Sequence, residues 1–350
     1  MNNYHLNFDT FARLTAIRDA LAAAELRRGA LVLDVGGHPG LLAGMLDGPR
    51  VITADFPSAG PAFYARASGT ALPFASGRFQ AVVCSDVLEH VAPAERAAFL
   101  QELWRAASRW VVIGGPFFSH GLQLAETRLC ELRAAAGMME NPWLAEHRKH
   151  GLPRLDESVR RLESLGASCA AVPSGSILRW FLLFGGAALA EMLPGVGRAW
   201  DEFMPLINKH FPGKADAHAC RHLIVACKDK AGLDAPHMRA FLDANSDAAA
   251  AADPPIGPQI NALASLLTAA AAALRQTGSM LENGGGGIAG DYLSQMEKAM
   301  AAQSARIEAL RASAADQPRK TQSAAATAGR IARKLKKWIR RGKPRGKRNV

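Results

Sequence analysis

Short apolar runs alternate with longer amphipathic stretches from about residue 10 to residue 230. The apolar runs predict strands, which cover residues 31–35, 50–54, 81–85, 110–114, 168–172 and 223–228. The amphipathic stretches between them predict helices, among them residues 11–25, 40–46, 93–107 and 156–165. Strands and helices that alternate at this spacing predict an α/β fold, in which a doubly wound, mostly parallel sheet carries helices on both faces.

The pattern changes after about residue 232. Alanine-rich segments, the sequence PPIGP and the glycines at 284–287 predict helices joined by linkers, without a second core. Residues 291–312 have the pattern of one amphipathic helix, which offers a surface for self-association into a homo-oligomer. Residues 177–193 form an apolar stretch interrupted by Arg179 and Glu191, which is too short for a membrane span. The stretch predicts a buried or cap helix, and a membrane- or lipid-facing surface is the alternative.

The net charge of +11 belongs to one end of the chain. Residues 319–350 hold 13 Lys or Arg and no acid, which leaves about −2 for residues 1–318. Within this tail, residues 330–341 (RIARKLKKWIRR) place four apolar side chains on one helical face between basic ones: Ile331, Leu335, Trp338 and Ile339. This pattern predicts a helix that binds an anionic membrane surface. Nucleic-acid binding, which is less favoured, and a solvated tail remain the alternatives.

These features divide the chain into three parts. We predict a main domain over residues 1–230 with a cap insertion at about 175–218, a helical linker region over 231–318 and a basic tail over 319–350. Five scattered cysteines without a CxxC pair, together with a start that lacks an apolar leader, predict a cytoplasmic protein. Because of the basic tail, we expect the protein to bind peripherally to the inner face of the cytoplasmic membrane.

The sequence DVGGHPG at residues 34–40 follows the first predicted strand directly. In a doubly wound sheet, ligands bind beyond the carboxyl ends of the strands, and small residues there let the backbone approach a ligand. Asp55 ends the second strand about 21 residues later, where an acid commonly holds the ribose of a nucleotide cofactor. Asp34 and Asp55 together do not distinguish NAD from other adenosine cofactors. The alternative for the glycine-rich sequence is a tight strand-to-helix turn that binds no ligand.

The next stretch distinguishes the cofactors. LPFASGRFQAVVCSDVLEHV at residues 72–91, with VLDVGGHPG before it and RWVVIGGPF after it, resembles the class I S-adenosylmethionine-dependent methyltransferases. The resemblance covers roughly residues 30–118 and extends more weakly to about residue 229. It implies a seven-stranded, Rossmann-like sheet, S-adenosylmethionine as cofactor and methyl transfer as the reaction, and it leaves the acceptor open.

The resemblance also implies a role for particular residues. The loop from Asp34 to Gly40 would surround the methionine part of the cofactor, Asp55 would hold the ribose, and Ser85 would lie near the sulfonium. The implied cofactor residues are Asp34, Gly36, Gly37, Gly40, Asp55, Phe56, Ser68, Ser85 and Asp86. Three positions depart from the family pattern: His38 replaces a glycine, Ser68 replaces an acid beside the adenine, and Gln80 replaces an aspartate.

Methyl transfer to oxygen benefits from a base that is aligned with the acceptor. His120 follows the strand at 110–114, and His147 lies in EHRKHGLP after a possible lid, so we predict these two as catalytic. Asp86, Glu89 and His90 resemble a pattern that binds a divalent ion in some methyltransferases of ubiquinone synthesis. Because Glu89 and His90 occur widely in the family without metal, we predict no metal site.

The sequence thus favours a methyltransferase that acts at the membrane surface. Its acceptor is expected to be a hydroxyl of a glycan, a lipid-linked sugar or a related envelope metabolite, since bacterial methyltransferases with similar HGLP and cap regions are suspected in polysaccharide synthesis. Two other classes stay open: a nucleic-acid methyltransferase that uses the basic tail, and a catalytically silent scaffold with the cofactor fold.

Overall fold

The computed structural model describes residues 3–57, 60, 63–193, 196–210, 215–246 and 255–282. The chain divides into two compact units, Met1–Gln276 and Thr277–Val350. The first unit therefore continues beyond residue 230, where the sequence predicted the end of the main domain. The predicted self-associating helix at 291–312 and the basic tail at 319–350 lie outside the described residues.

Within the described residues, seven strands form a single sheet. They are β1 (Leu31–Val35), β2 (Arg50–Asp55), β3 (Tyr64–Arg66), β4 (Phe79–Ser85), β5 (Ala107–Gly115), β6 (Ser168–Ser174) and β7 (Arg221–Cys227). Their order across the sheet is β3-β2-β1-β4-β5-β7-β6. Strands β1 to β5 are parallel, and β7 runs antiparallel to both β5 and β6. The order reverses between β1 and β4, which is where ligands bind in sheets of this kind.

The helices connect and cover these strands. They are α1 (Phe8–Ala23), α2 (Arg96–Ala106), α3 (His120–Ala135), α4 (Pro142–His150), α5 (Leu155–Ser164), α6 (Ile177–Glu191), α7 (Val196–His210), α8 (Lys230–Asp234), α9 (Pro236–Ser246) and α10 (Gly257–Glu282). Two short 3₁₀ helices cover Leu41–Gly44 and Pro93–Glu95. The helices α6 and α7 lie between β6 and β7, within the predicted cap insertion.

Two hydrophobic cores lie on opposite faces of the sheet. On one face, Phe99 and Leu103 of α2 pack with Leu162 of α5 against the strands. On the other face, Ile17 of α1 and Met238 of α9 do the same. The central strands β1, β4 and β5 are buried along most of their length, because helices cover both faces of the sheet. This explains why their sequences are largely continuous apolar runs. The predicted α/β fold with a mostly parallel seven-stranded sheet is confirmed.

A third hydrophobic cluster joins α3, α6 and α10. The stripe of α10 that packs there consists of Ile260, Ala264, Leu267 and Ala271. Over Gly257–Gln276 this helix is also long and apolar enough to cross a membrane by length and composition, although 22% of that window is buried in the protein. Length and composition do not separate a membrane span from a helix packed on a soluble core. The packed stripe accounts for the buried apolar residues of this window, and its other residues are exposed or partly exposed.

Candidate active site

A cleft opens at the carboxyl ends of β1 and β4, where the strand order reverses. It holds about 300 Å³, including space open to solvent. It is lined by Arg13, Leu14, Asp34, Gly36, Gly37, His38, Leu41, Leu42 and Ser85. The cleft therefore brings together four predicted cofactor residues, Asp34, Gly36, Gly37 and Ser85, and adds Arg13 of α1.

The glycines of the loop after β1 are required by close contacts. A methyl group on Gly37 would overlap the carboxylate of Asp34, and one on Gly36 would overlap the side chain of Val87. Gly36 also has a φ of +74° and Gly40 has a φ of +89°. Residues other than glycine rarely adopt this left-handed backbone conformation. The loop thus brings its backbone close to the wall of the cleft, as the glycine-rich sequence predicted.

Asp34 is the acidic group of this cleft, and it is only 4% exposed. Burial raises its pKa from 3.8 to about 7, although the charge of Arg13 opposes the rise. Near neutral pH the carboxyl is therefore poised between its two forms, and a cationic ligand would favour the ionised one. Within the same wall, Ser85 has a buried hydroxyl without a hydrogen-bond partner, so a polar ligand could satisfy it.

Asp55 at the end of β2 holds the two neighbouring loops together. Its Oδ2 accepts the backbone N–H of His38 at 3.0 Å, and its Oδ1 accepts the backbone N–H of Phe56 at 2.7 Å. The departure at His38 from the family glycine is tolerated because this contact uses the backbone and not the imidazole. The Phe56 side chain is 67% exposed, so it is available for contact with a planar ring.

The remaining predicted cofactor residues lie outside the lining of the cleft. Ser68 pairs with Ala71 in an isolated bridge, and its Oγ lies 2.8 Å from Thr70 Oγ1. Gly40 caps the 3₁₀ helix that follows the loop. Asp86 has a φ of +53° and directs its carboxylate to Arg221 of β7.

A buried ion network surrounds Asp86. Arg221 donates to Asp86 with Nε and Nη2 at 2.9 and 2.8 Å, and to Asp9 of α1 with Nη1 and Nη2 at 2.9 Å each. Arg13 adds a longer contact of 3.9 Å to Asp86. Burial disfavours the charged form of Asp86, but the charge and hydrogen bonds of Arg221 outweigh it and lower the pKa. Asp86 is therefore an ionised anchor of this network.

A second cavity adjoins the same network and holds about 450 Å³, including space open to solvent. Its apolar wall contains Phe8, Trp180, Leu183 and Ile207. Its polar wall includes Arg13 and Arg179, together with Ser174, Ser176, Asn208 and the Asp9–Arg221 pair. The walls come from α1, the turn after β6, α6, α7 and the start of β7, so the cap insertion forms much of this cavity.

The two predicted catalytic histidines have different surroundings. His120 begins α3, is exposed, and packs its ring against Phe118 at 5.3 Å between centroids. His147 of α4 is nearly buried, and its Nδ1 lies 2.8 Å from Glu126 Oε1. Its ring is 5.0 Å from that of His90. His147 thus belongs to a cluster of ionisable groups, of which His120 is not a member.

Comparison with known proteins identifies the family. A family model described as a methyltransferase domain matches residues 33–109. An uncharacterized methyltransferase of Mycobacterium marinum is 32% identical over 186 residues, which cover 47% of this chain and 67% of that protein. One from Mycolicibacterium vanbaalenii is 31% identical over 199 residues, which cover 51% of this chain and 70% of that protein. The chain belongs to the class I S-adenosylmethionine-dependent methyltransferases.

Solved structures include similar chains as well. Magnesium protoporphyrin IX methyltransferase from Synechocystis, with bound SAH, is 15% identical to this methyltransferase. The match covers 63% of this chain and 85% of that one, with a TM-score of 0.38.

Sequence reasoning missed four residues that shape the site of this methyltransferase: Asp9, Arg13, Glu126 and Arg221. Asp9 and Arg13 lie on α1, ahead of the stretch that resembles the family, and nothing in the helical pattern separates them from surface charges. Arg221 starts a strand that was predicted only from residue 223. The missed charges are therefore brought to the site by the fold, not by a local motif.

Proposed function

We propose that this methyltransferase binds S-adenosylmethionine in the cleft beside β1 and β4, and transfers its methyl group to an acceptor in the cavity beside α1 and α6. The observation that carries the proposal is that Arg13 lines both the cleft and the cavity. The two spaces therefore meet at one side chain. Direct transfer requires donor and acceptor to be held next to each other in line, and adjoining sites meet this requirement.

The chemistry of the cleft suits a cationic cofactor. S-adenosylmethionine carries an ammonium and a sulfonium, and the latter supplies an electrophilic methyl group. We assign the ammonium end to the loop of Asp34, Gly36, Gly37 and Gly40, and the ribose to Asp55. Phe56 and the segment at Ser68 would border the adenine, while Ser85 and Asp86 would lie near the sulfonium. A buried acid such as Asp34 disfavours the pyrophosphate of a dinucleotide, which prefers backbone N–H donors.

The cavity indicates the class of acceptor. Phe8, Trp180, Leu183 and Ile207 offer an apolar wall, and Arg179 lies beside it. An acceptor with an apolar part matches the apolar wall. We therefore propose a hydroxyl of a lipid-linked sugar or a related envelope metabolite in preference to a free glycan.

Transfer to an oxygen is helped by a base, and His120 and His147 are the proposed candidates. His147 has the carboxylate–histidine arrangement that orients a base, because Glu126 contacts its Nδ1. His120 is the exposed alternative after β5. The pH–rate profiles of His120→Ala and His147→Gln separate the two, since only loss of the true base removes the rise in rate with pH.

We further propose that the protein acts in the cytoplasm at the inner face of the membrane. The support is the basic, amphipathic sequence at 330–341 and the apolar character of the acceptor cavity. The sequence at 291–312 supports self-association of the chain. Both segments lie outside the described residues, and the nucleic-acid alternative rests on the same tail.

The decisive experiment measures binding and transfer separately. Calorimetry on the full chain should show binding of S-adenosylmethionine and none of NADH. Labelled cofactor should then transfer its methyl group to a membrane-lipid fraction, and not to RNA or protein fractions. Binding of S-adenosylmethionine without any methyl transfer would support the silent scaffold, and transfer to RNA would support the nucleic-acid methyltransferase. Binding of NADH alone would overturn the proposal that S-adenosylmethionine is the cofactor.

A further inference from the structure

Three side chains bring ligand atoms together beyond the carboxyl end of β4. Glu89, His90 and His147 each offer one donor atom, and these atoms lie within 4.8 Å of one another. From this juxtaposition we propose that Glu89, His90 and His147 bind a divalent transition-metal ion of the Zn²⁺ type. The proposal concerns a metal only, and it holds or fails independently of the cofactor and acceptor assigned above.

A carboxylate lies beside Nδ1 of each imidazole in the cluster, but only the contact of His147 is a hydrogen bond. Glu126 Oε1 lies 2.8 Å from His147 Nδ1, and Glu146 Oε2 lies 2.7 Å from His90 Nδ1. A carboxylate at Nδ1 favours the tautomer that carries its proton there, and this leaves the lone pair on Nε2. Histidines that bind metals in proteins are commonly held in this way by a carboxylate on the other nitrogen. For His147, Nε2 is thus the nitrogen that remains for a metal.

Two donor atoms of the cluster lack a hydrogen-bond partner. His147 Nε2 and Glu89 Oε2 are both buried without a hydrogen-bond partner. The side chain of Glu89 is 2% exposed and that of His147 is 10% exposed. Buried polar atoms are nearly always satisfied in proteins, so two of them at one place call for an explanation. A shared metal ion satisfies both atoms at once.

The spacing of the atoms is compatible with one ion. His90 Nε2 and Glu89 Oε1 are 3.9 Å apart. Zinc bonds to histidine nitrogen and carboxylate oxygen of about 2.0–2.2 Å place neighbouring ligands of a tetrahedral site roughly 3.3 Å apart. The donor atoms, which lie up to 4.8 Å apart, would therefore approach one another by up to about 1.5 Å when the ion binds. Three protein ligands also leave a fourth position for water or another ligand.

The set of ligands selects the kind of metal. Two imidazoles and one carboxylate suit Zn²⁺ and its first-row neighbours, whereas Mg²⁺ and Ca²⁺ prefer oxygen ligands. Asp86 would be the third ligand if the metal followed the local sequence Asp86-x-x-Glu89-His90. Its carboxylate is instead bound by Arg221. The third ligand therefore comes from α4. The sequence predicted no metal site at Glu89 and His90, and no motif in it places α4 beside them.

A metal at this position has two consequences. It would tie α4 to the segment that follows β4, through His147 on one side and Glu89 with His90 on the other. It would also occupy His147 Nε2, so that this nitrogen could not act as a base while the metal is bound. The ligand role and the predicted base role of His147 are therefore alternatives in any one state of the protein.

The test uses the full chain after treatment with a chelator and dialysis. Calorimetry with ZnCl₂ should show one tight site, and MgCl₂ at the same concentration should not compete. Zinc-edge X-ray absorption of the parent protein should show two imidazoles among nitrogen and oxygen ligands, without sulfur. Neither measurement requires a variant, cofactor or acceptor, so failure of the metal site is distinguishable from failure of the proposed function.

Three variants locate the site. His147→Gln should weaken Zn²⁺ binding by about 100-fold or more, and Glu126→Gln, which keeps all three ligands, by about 10–100-fold. His237→Gln is the matched control, because His237 also pairs with a carboxylate, Glu25, at 2.9 Å but is exposed. The Zn²⁺ affinity of the His237→Gln protein should equal that of the parent. Absence of a tight site, sulfur ligands, equal competition by Mg²⁺, or parent-like affinity in a folded His147→Gln protein would each overturn the proposal.

Discussion

Arg221 at the start of β7 and Asp86 after β4 form a two-bond ion pair across the carboxyl edge of the sheet. Arg221 Nε lies 2.9 Å from Asp86 Oδ1, and Nη2 lies 2.8 Å from Asp86 Oδ2. The same guanidinium also holds Asp9 of α1, with two contacts of 2.9 Å. One arginine thereby joins helix α1, the end of β4 and the antiparallel strand β7 beside the cavity that Asp9 and Arg221 line.

Replacement of Arg221 by Met should therefore destabilise the protein strongly. It removes the hydrogen-bonded partner of both Asp9 and Asp86 and leaves Asp86 only its 3.9 Å contact with Arg13. Removal of one partner from a buried ion pair costs about 3–5 kcal/mol. Urea unfolding followed by circular dichroism measures the loss. Arg160→Met is the control, since Arg160 pairs with Asp156 at 3.0 Å on the exposed surface, and its midpoint should not move. Equal midpoints for the two variants would contradict a structural role for the Arg221 network.

Asp34 should make cofactor binding depend on pH. Its pKa is raised to about 7 by burial, so its ionised fraction grows steeply between pH 5.5 and 7.0. If the ionised form holds the cationic cofactor, the affinity should tighten by about tenfold over this interval. Calorimetry across the interval measures it. The Asp34→Asn protein should bind the cofactor weakly, and its affinity should not depend on pH over this interval. If its affinity changed with pH as that of the parent does, the titrating group would be one other than Asp34.

The same carboxyl makes a prediction for stability. Because its pKa is raised in the folded state, the folded protein binds more protons than the unfolded chain between about pH 4 and pH 7. The contribution of Asp34 to stability is therefore highest at low pH, falls as pH rises and levels off above about pH 7. Asp34→Asn should gain stability relative to the parent along this interval, as measured by denaturant midpoints. A constant difference between the two proteins would contradict the raised pKa.

The glycine loop offers a test with a control from the same segment. Gly37→Ala places a methyl group on the Asp34 carboxylate, so it should cost about 1–3 kcal/mol of stability and weaken cofactor binding. At Gly44, a methyl group meets no atom within 4 Å, so Gly44→Ala should leave both quantities near those of the parent. Thermal melts and calorimetry measure the two effects. Similar losses in both variants would contradict the prediction that overlap between a methyl group at residue 37 and the Asp34 carboxylate causes the loss.

The parts of the fold that could be predicted are those with a local signature. The buried parallel strands appear as continuous apolar runs, so β1, β2, β4 and β5 were located within a few residues. The strand β3 was missed because its three residues, Tyr64–Arg66, lie at the edge of the sheet and form no apolar run. The glycine loop after β1 could be located because its glycines and Asp34 are contiguous in the sequence, and its role in cofactor binding stays a prediction.

The rest of the site depends on distant contacts. Arg221 and Asp9 are 212 positions apart, and Glu126 and His147 are 21 apart on different helices. No periodicity relates such pairs, because they become neighbours only when the strand order of the sheet is fixed. This is why the sequence indicated the cofactor side of the site in detail but neither the ion network nor the partner of His147.

The basic tail gives the last prediction, which separates membrane binding from nucleic-acid binding. Replacing Ile331, Leu335, Trp338 and Ile339 with Ser keeps all 13 positive charges of residues 319–350 but removes the apolar face. Sedimentation with anionic vesicles should then show a sharp loss of binding, because charge attracts the tail only to within a Debye length and supplies no burial. RNA affinity should change little, since counterion release follows charge. Deletion of residues 319–350 is the matched control, and it should abolish vesicle binding while cofactor affinity stays at the parent value. Vesicle binding by the Ser variant as strong as that of the parent would exclude an interfacial helix.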